Sequence, residues 1–217
     1  MSKSRFHRDL EKQKTEVLKM GYLIKDMLEK SVQSMKNQDL QLADYVISKQ
    51  DELAYFDETI EEDLLQLIAL NQPVAKDMRL IACCLKMITY MARIGRYGRD
   101  IAKITHELKD EPLVAKLVHI PHMQKHALEM ITDALNAFES EKLELIKDFR
   151  ERDDHLDDMR YSVFRECLTY MMESPKNITP CAHYAMVARY IERCGDHACK
   201  MAEKIHYYIN GEHIEIK

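Results

Sequence analysis

Apolar residues recur along this 217-residue chain with the spacing of long amphipathic helices. Near the start, Leu10, Val17, Ile24, Leu28 and Met35 repeat at heptad-type intervals. Near the end, Tyr184, Val187, Ile191, Ala198, Met201, Ile205 and Tyr208 do the same. Breaks are few. Asn37-Gln38-Asp39, Asn71-Gln72-Pro73, Asp110 to Pro121, Glu139-Ser140-Glu141 and Ser174 to Pro180 separate segments of about 25–35 residues. Each would reach roughly 40–50 Å as a helix. Pro73 suits the first turn of the helix that follows it. The pattern predicts an all-α fold of six long helices and no strand.

The first and second halves repeat. Shifting the chain by 100 residues aligns Tyr90 with Tyr190, Arg93 with Arg193, Gly95 with Gly195, Ala102 with Ala202 and His106 with His206. Average usage would give about one or two such matches over this stretch. The same shift pairs Lys25, Leu28 and Glu29 with Lys125, Leu128 and Glu129, and Asp57 with Asp157. Two tandem three-helix bundles are expected, over residues 1–110 and 111–217, each up-down-up because its connections are short.

Composition narrows the class. The chain has only 5 Gly and 5 Pro, no Trp, and 32% charged residues, which disfavours turn-rich sheet folds and Gly-rich nucleotide-binding folds. A net charge of −5 is wrong for a general nucleic-acid binder. No apolar run is long enough to span a bilayer, and the charged opening does not read as a signal peptide. The six cysteines lie among apolar helical positions with no C-x-x-C pairing, as expected in a reducing cytoplasm.

Two acidic pairs carry the candidate chemistry. Glu192 and Asp196 are spaced i,i+4, with Cβ atoms about 5–6 Å apart on one helix face. At 100° per residue they point about 140° and 180° from the apolar seam of that helix, and Glu203 falls on the same outward face. A solvated face, with Lys200 pairing to Asp196, is the plain account. Asp153 and Asp157 form a second i,i+4 pair on the preceding helix. An antiparallel neighbour brings the pairs together, and a divalent or iron cation relieves four crowded carboxylates. The first repeat has Ala92 and Arg96 where the second has Glu192 and Asp196. Leu53 stands four residues before Asp57, so any metal is expected in the second repeat alone.

The string Glu192-Arg-x-Gly-Asp-His-Ala198 resembles the signature of the PhoU family. Gln72-Pro-Val-Ala-Lys-Asp-Met-Arg79, Leu168-Thr-Tyr-Met-Met-Glu173 and Tyr207-Tyr208-x-x-Gly211 resemble it too, in order and spacing over nearly the whole chain. Asp153-x-x-x-Asp157 sits where that family carries a helix-five acidic pair. The resemblance implies a cytoplasmic, non-enzymatic regulator, commonly a homodimer. It implies a negative role in phosphate uptake and starvation signalling beside the ATPase subunit of a phosphate ABC transporter, and in bacteria beside a sensor kinase. It also implies metal binding through the E/D-x-x-x-D motifs.

Other patterns remain open. His119, His122 and His126, with Glu129, have the i, i+3, i+7 spacing of a metal-binding helix face. Pro121 sits inside that run and opens the helix, which puts His119 off it, and a polar helix start with scattered histidines is the plain account. Arg93, Arg96 and Arg99 make a basic stretch, either solvated or with Arg96 meeting an acid at a vacated site. Glu203-x-x-His206 matches half of a di-iron motif, but its repeat-one counterpart is Lys103-x-x-His106. The rivals are a metal-binding bundle, as storage protein or metal-carboxylate enzyme, and a helical adaptor with no phosphate role.

Overall fold

The computed structural model describes residues 5–114 and 119–216. The junction between Asp110 and Pro121 lies partly outside them. Among the described residues there are six α-helices and no strand: α1 (Arg5–Asn37), α2 (Leu40–Asn71), α3 (Ala75–Glu107), α4 (Ile120–Ser140), α5 (Phe149–Glu173) and α6 (Ile178–Asn210). No helix among them is long and apolar enough to cross a membrane.

Their ends follow local chemistry. Asp39 caps α2 by accepting from the Leu42 amide at 3.0 Å. Gln38 turns out of α1 at φ +51°, and its amide donates to the Leu108 and Glu111 carbonyls, tying the α1–α2 corner to the end of α3. Pro121 occupies the first turn of α4, with His119 as N-cap. Pro73 lies just outside α3, whose N-cap is Val74. Gly211 ends α6 at φ +77°, its amide donating to the Tyr207 carbonyl.

The heptad residues read from the sequence at both ends of the chain are all buried. The core they build is continuous across both repeats. The long inner helices make the joint: α3 packs along α6 and α1 along α4, while α2 packs on α1 and α3, and α5 on α6 and α4. Both inner pairs are antiparallel. Arg79 donates to the Tyr208 carbonyl at one end of the α3–α6 seam, and His183 meets Glu107 at 3.4 Å at the other. Between them Tyr90 stacks on His197, Tyr97 on Tyr190, and Tyr97 on His197, at centroid distances of 5.8, 5.4 and 6.0 Å. Positions 90 and 190, and 97 and 197, exchange under a pseudo-twofold axis through this column.

Buried positions give the register of the repeat. From α3 to α6 the shift is 100, as the sequence suggests: Cys84 and Tyr184, Met87 and Val187, Met91 and Ile191, Ile101 and Met201 are buried pairs. From α1 and α2 to α4 and α5 it is 103, pairing Val17 with Ile120, Leu28 with Ile131, Met35 with Phe138, Leu53 with Leu156, Ile60 with Val163 and Leu64 with Cys167. A Cβ on Gly95 would meet Leu53, and one on Gly195 would meet Leu156, which confirms the correspondence. The pairings of Lys25, Leu28, Glu29 and Asp57 with residues 100 further on are therefore out of register by three. Asp57 corresponds to Arg160, while Asp153 and Asp157 correspond to Gln50 and Ala54.

A four-way contact fixes the corner between the repeats. Glu141, in the left-handed region at φ +57°, accepts from the Tyr208 hydroxyl at 2.6 Å. Lys14 and Lys76 stand 3.6 Å from its two oxygens. The Tyr208 hydrogen bond and the two lysines hold this carboxyl below its usual range.

Gly98 is the tightest helix crossing onto backbone. A Cβ there would lie 3.2–3.3 Å from the Met27 and Leu28 backbone, which cannot swing aside. At Gly195 the obstacle is the mobile end of Leu156. Gly98→Val should therefore destabilise the chain by about 1–3 kcal/mol. Gly195→Ala should cost less, because Leu156 changes rotamer. Urea unfolding followed by circular dichroism reads both.

Candidate functional site

The structure brings Asp153, Asp157, Glu192 and Asp196 together between α5 and α6. Gly195 permits the approach. A Cβ there would sit 3.4 Å from Asp153 Oδ1 and against the end of Leu156, so the bare backbone lets α5 close on α6 at this level with Leu156 in its present rotamer. Burial, then the Asp196 and Asp157 charges, push the Asp153 carboxyl up to about 6. Burial, then Asp196, also raise Glu192, against the opposing pull of Arg193 and Arg160.

The expected outward face of α6 does not survive. The Glu192 side chain is 12% exposed, that of Asp196 31% and that of Glu203 7%. A helical wheel assumes one apolar seam, whereas α6 is packed by α3, α4 and α5 at once. Lys200 does not pair with Asp196 either. It meets Glu203 at 2.8 Å, and Glu203 also accepts from the Ile216 amide where the C-terminal segment folds back. His206 contacts the Glu212 carbonyl through Nδ1. Both halves of the Glu203-x-x-His206 motif are thus engaged in holding that segment.

Arginines share the acidic face. Arg193 Nη1 bonds to Asp196 at 2.7 Å and its Nε lies 3.6 Å from Glu192. Arg160 Nε stands 3.8 Å from Glu192 Oε1. Those contacts leave Glu192 Oε2 and Arg160 Nε buried without a hydrogen-bond partner in the chain. Among the described residues, no three His, Cys, Asp or Glu side chains are placed to hold a metal ion. The chemistry of the donors is that of a hard cation's ligands: four carboxylates, two of them raised by burial and then by neighbouring charge, and one buried oxygen without a hydrogen bond.

In the first repeat the corresponding residues are Gln50, Ala54, Ala92 and Arg96, with no acid among them. Arg96 faces Asp57, whose carboxyl is raised by burial and the Glu61 charge and lowered by Arg96. Asp57 with Arg96 in one repeat thus stands where Arg160 stands beside the acidic face in the other. Arg99 pairs with Asp100 at 2.8 Å, so at this end the basic stretch on α3 is salt-bridged.

Two features escape the sequence reading. His197 lies between Tyr90 and Tyr97 with Nε2 buried and unpartnered, and burial followed by the Arg93 charge pushes it down to about 4. It is a neutral spacer of the inter-repeat seam at ordinary pH. The other is an apolar stripe on α5: Tyr161, Phe164, Leu168 and Met172 are 52, 48, 43 and 82% exposed. The matching α2 face carries Glu58, Glu61, Leu65 and Ala69, so the fold does not require apolar residues there. Their i, i+3, i+7, i+11 spacing is the signal that could have found them.

Asp153 supplies a pH test. Its folded value, about 6, lies above the ordinary 3.8, so the native state binds the proton more tightly and stability falls as pH rises between those values. In chelator-treated protein, Asp153→Asn should raise stability at pH 8 by on the order of 1 kcal/mol after solvent screening, and by little at pH 4. Thermal melts at the two pH values check it, and an equal effect at both would refute the assignment.

The same helices recur in known proteins. The PhoU domain family matches residues 17–105 and 120–205, and the offsets between those ranges, 103 at the start and 100 at the end, are those of the buried positions. A phosphate-specific transport system accessory protein PhoU homolog of Rhizobium meliloti is 36% identical over 96% of this chain and 88% of its own length. One of Clostridium acetobutylicum is 30% identical over 100% of this chain and 99% of its own. The crystal structure of PhoU from Pseudomonas aeruginosa superposes with a TM-score of 0.90 at 28% identity, covering 96% of this chain and all of that one. A PhoU structure from Streptococcus pneumoniae, at 23% identity and TM-score 0.88 over 97% of this chain and all of that one, shares the fold. With two PhoU domains filling its two three-helix repeats, this chain belongs to the PhoU family.

Proposed function

We propose that this chain is the accessory regulator of a phosphate-specific transport system and restrains uptake when phosphate is plentiful. The observation that carries the reading is the double PhoU match laid over two complete three-helix repeats, together with relatives named as accessory proteins of that system. The chemistry of the surface agrees with a protein that works by contact. The candidate catalytic constellations are engaged in holding the fold, and the extended surfaces on offer are helix faces. We assign it no catalysis of its own.

In this reading the protein acts in the cytoplasm as a homodimer. It docks on the transporter's ATPase subunit and communicates with a sensor kinase where one is present. The exposed α5 stripe supports docking through a helix face, because Tyr161, Phe164, Leu168 and Met172 leave a large part of their apolar area exposed there. The acidic face of α5 and α6 holds the regulatory cation. Asp153, Asp157, Glu192 and Asp196 supply oxygen ligands for a divalent or iron ion, and binding one requires Arg193 and Arg160 to yield their contacts. Such an ion would neutralise the carboxylate repulsion at this face. The first repeat has no equivalent, so one such all-oxygen site or cluster per chain is expected.

Deleting the gene should raise phosphate uptake or starvation-gene expression in phosphate-rich medium. Unchanged uptake and expression would remove the regulatory reading while leaving the fold intact. In cells grown in high phosphate, the transporter ATPase should co-purify with the wild-type chain and be depleted with Phe164→Asp/Leu168→Asp. Glu192→Ala/Asp196→Ala should abolish the magnesium, manganese or iron retained after dialysis, measured by elemental analysis, with the helical circular dichroism signal kept.

A further inference from the structure

The histidines at the start of α4 acquire partners that no single-helix reading supplies. His119, His122 and His126 form one stripe leading into and along α4. The antiparallel α5 answers with His155, Asp158 and Glu166 at i, i+3 and i+11, on the face turned toward α4. Between the stripes lies a cavity of about 430 Å³, lined by His119, His122, His155, Asp158 and Glu166 among others. Its ends are already paired. His119 Nε2 lies 3.2 Å from Glu166 Oε1, and the His126 ring meets His155 edge-on at 5.2 Å while its Nε2 contacts the Arg152 carbonyl at 3.0 Å.

We propose that this α4–α5 groove is a second, separate metal site, binding one borderline divalent ion such as Zn²⁺ through His122 of α4 and the His155–Asp158 pair of α5. The ligand chemistry decides the ion. Two imidazoles and one carboxylate are the donor set of open zinc sites and suit zinc, cobalt or nickel, whereas an all-oxygen cluster suits magnesium or calcium. The i, i+3 spacing places His155 and Asp158 about 5–6 Å apart at Cβ on one helix face. His122 reaches the same cavity from the opposite wall.

No three of these donors yet surround one point. His122, His155 and Asp158 are all exposed, and exposed side chains change rotamer readily, so the ion gathers them from the walls of an open groove, with His155 giving up its edge contact to His126. The His119–Glu166 pair closes one end and orients nothing that must move. The site is independent of the acidic face and of the regulatory reading. Asp153 approaches Gly195 of α6, while Asp158 faces α4 on the other side of the same helix.

The test is calorimetric titration of Zn²⁺ into the chelator-stripped, full-length chain. One saturable equivalent is expected at the groove, and Co²⁺ in its place should show the intense visible bands of a tetrahedral site. His122→Ala and His155→Ala should each weaken that equivalent by at least about 10-fold, on the scale of lost metal-site contacts, with the helical spectrum unchanged because both residues are exposed. Glu192→Ala/Asp196→Ala should leave it intact. Absence of saturable Zn²⁺ binding, binding that survives both histidine substitutions, or binding lost only in the Glu192/Asp196 variant would each overturn the proposal.

Discussion

The packing of α3 against α6 is the constraint on which the other features rest. A three-helix unit alone buries one stripe of each helix. Here the inner helices carry apolar surface on more than one side, and each unit satisfies the other's excess. The pseudo-twofold axis makes the two contributions nearly equivalent, so Tyr90 on position 197 and Tyr190 on position 97 stack as matched pairs. Glu141 then gathers Lys14, Lys76 and Tyr208 from three other helices. Neither repeat has a complete core without its twin.

That joint explains what the acidic face is. Glu192 looks like a surface residue only if α6 has a single neighbour. With α3, α4 and α5 around it, the helix has little free circumference, and its carboxylates are drawn into a narrow trench with α5. The trench raises Asp153 and Glu192 and recruits Arg160 and Arg193 as internal counter-charges. The incomplete hydrogen bonding of Glu192 and Arg160 shows that those arginines balance charge without saturating the donors. A small dense cation is the other way of balancing the same charge. The trench is thus held by its own arginines, with part of its hydrogen-bonding capacity unused.

The helical pattern was legible because periodicity reports burial directly: the residues read from the heptads at both ends of the chain are core residues. The repeat was legible along α3 and α6, where Tyr90, Arg93, Gly95, Ala102 and His106 have identical partners. The other two helix pairs hid their register. The second repeat is three residues shorter between Cys167 and Pro180 than the first between Leu64 and Leu80, and an ungapped shift runs straight across that difference. The resulting match of Asp57 with Asp157 joined two residues of different roles. The two acidic pairs of the second repeat could be read because i,i+4 spacing is local. The burial of Glu192 and the company of His122 could not be, since both depend on which neighbour a helix receives.

Placement of chemistry on the outer helices follows from the same architecture. An inner helix such as α3 or α6 touches elements of both repeats, so most of its positions are committed to packing. α2 and α5 each pack mainly within their own repeat and keep a free face. Those faces have diverged although the backbone has not. Glu58 and Glu61 on α2 stand where α5 has Tyr161 and Phe164, and Gln50 and Ala54 stand where it has Asp153 and Asp157. One stretch of α5 therefore presents an acidic trench toward α6, a histidine-lined groove toward α4 and an apolar stripe outward. A contact that pulls on the stripe must act on the helix that carries one wall of the trench and one wall of the groove. A pull on that outer face reaches the trench and the groove with no long relay, only a small shift of one helix held to the core by Leu156, Val163 and Cys167.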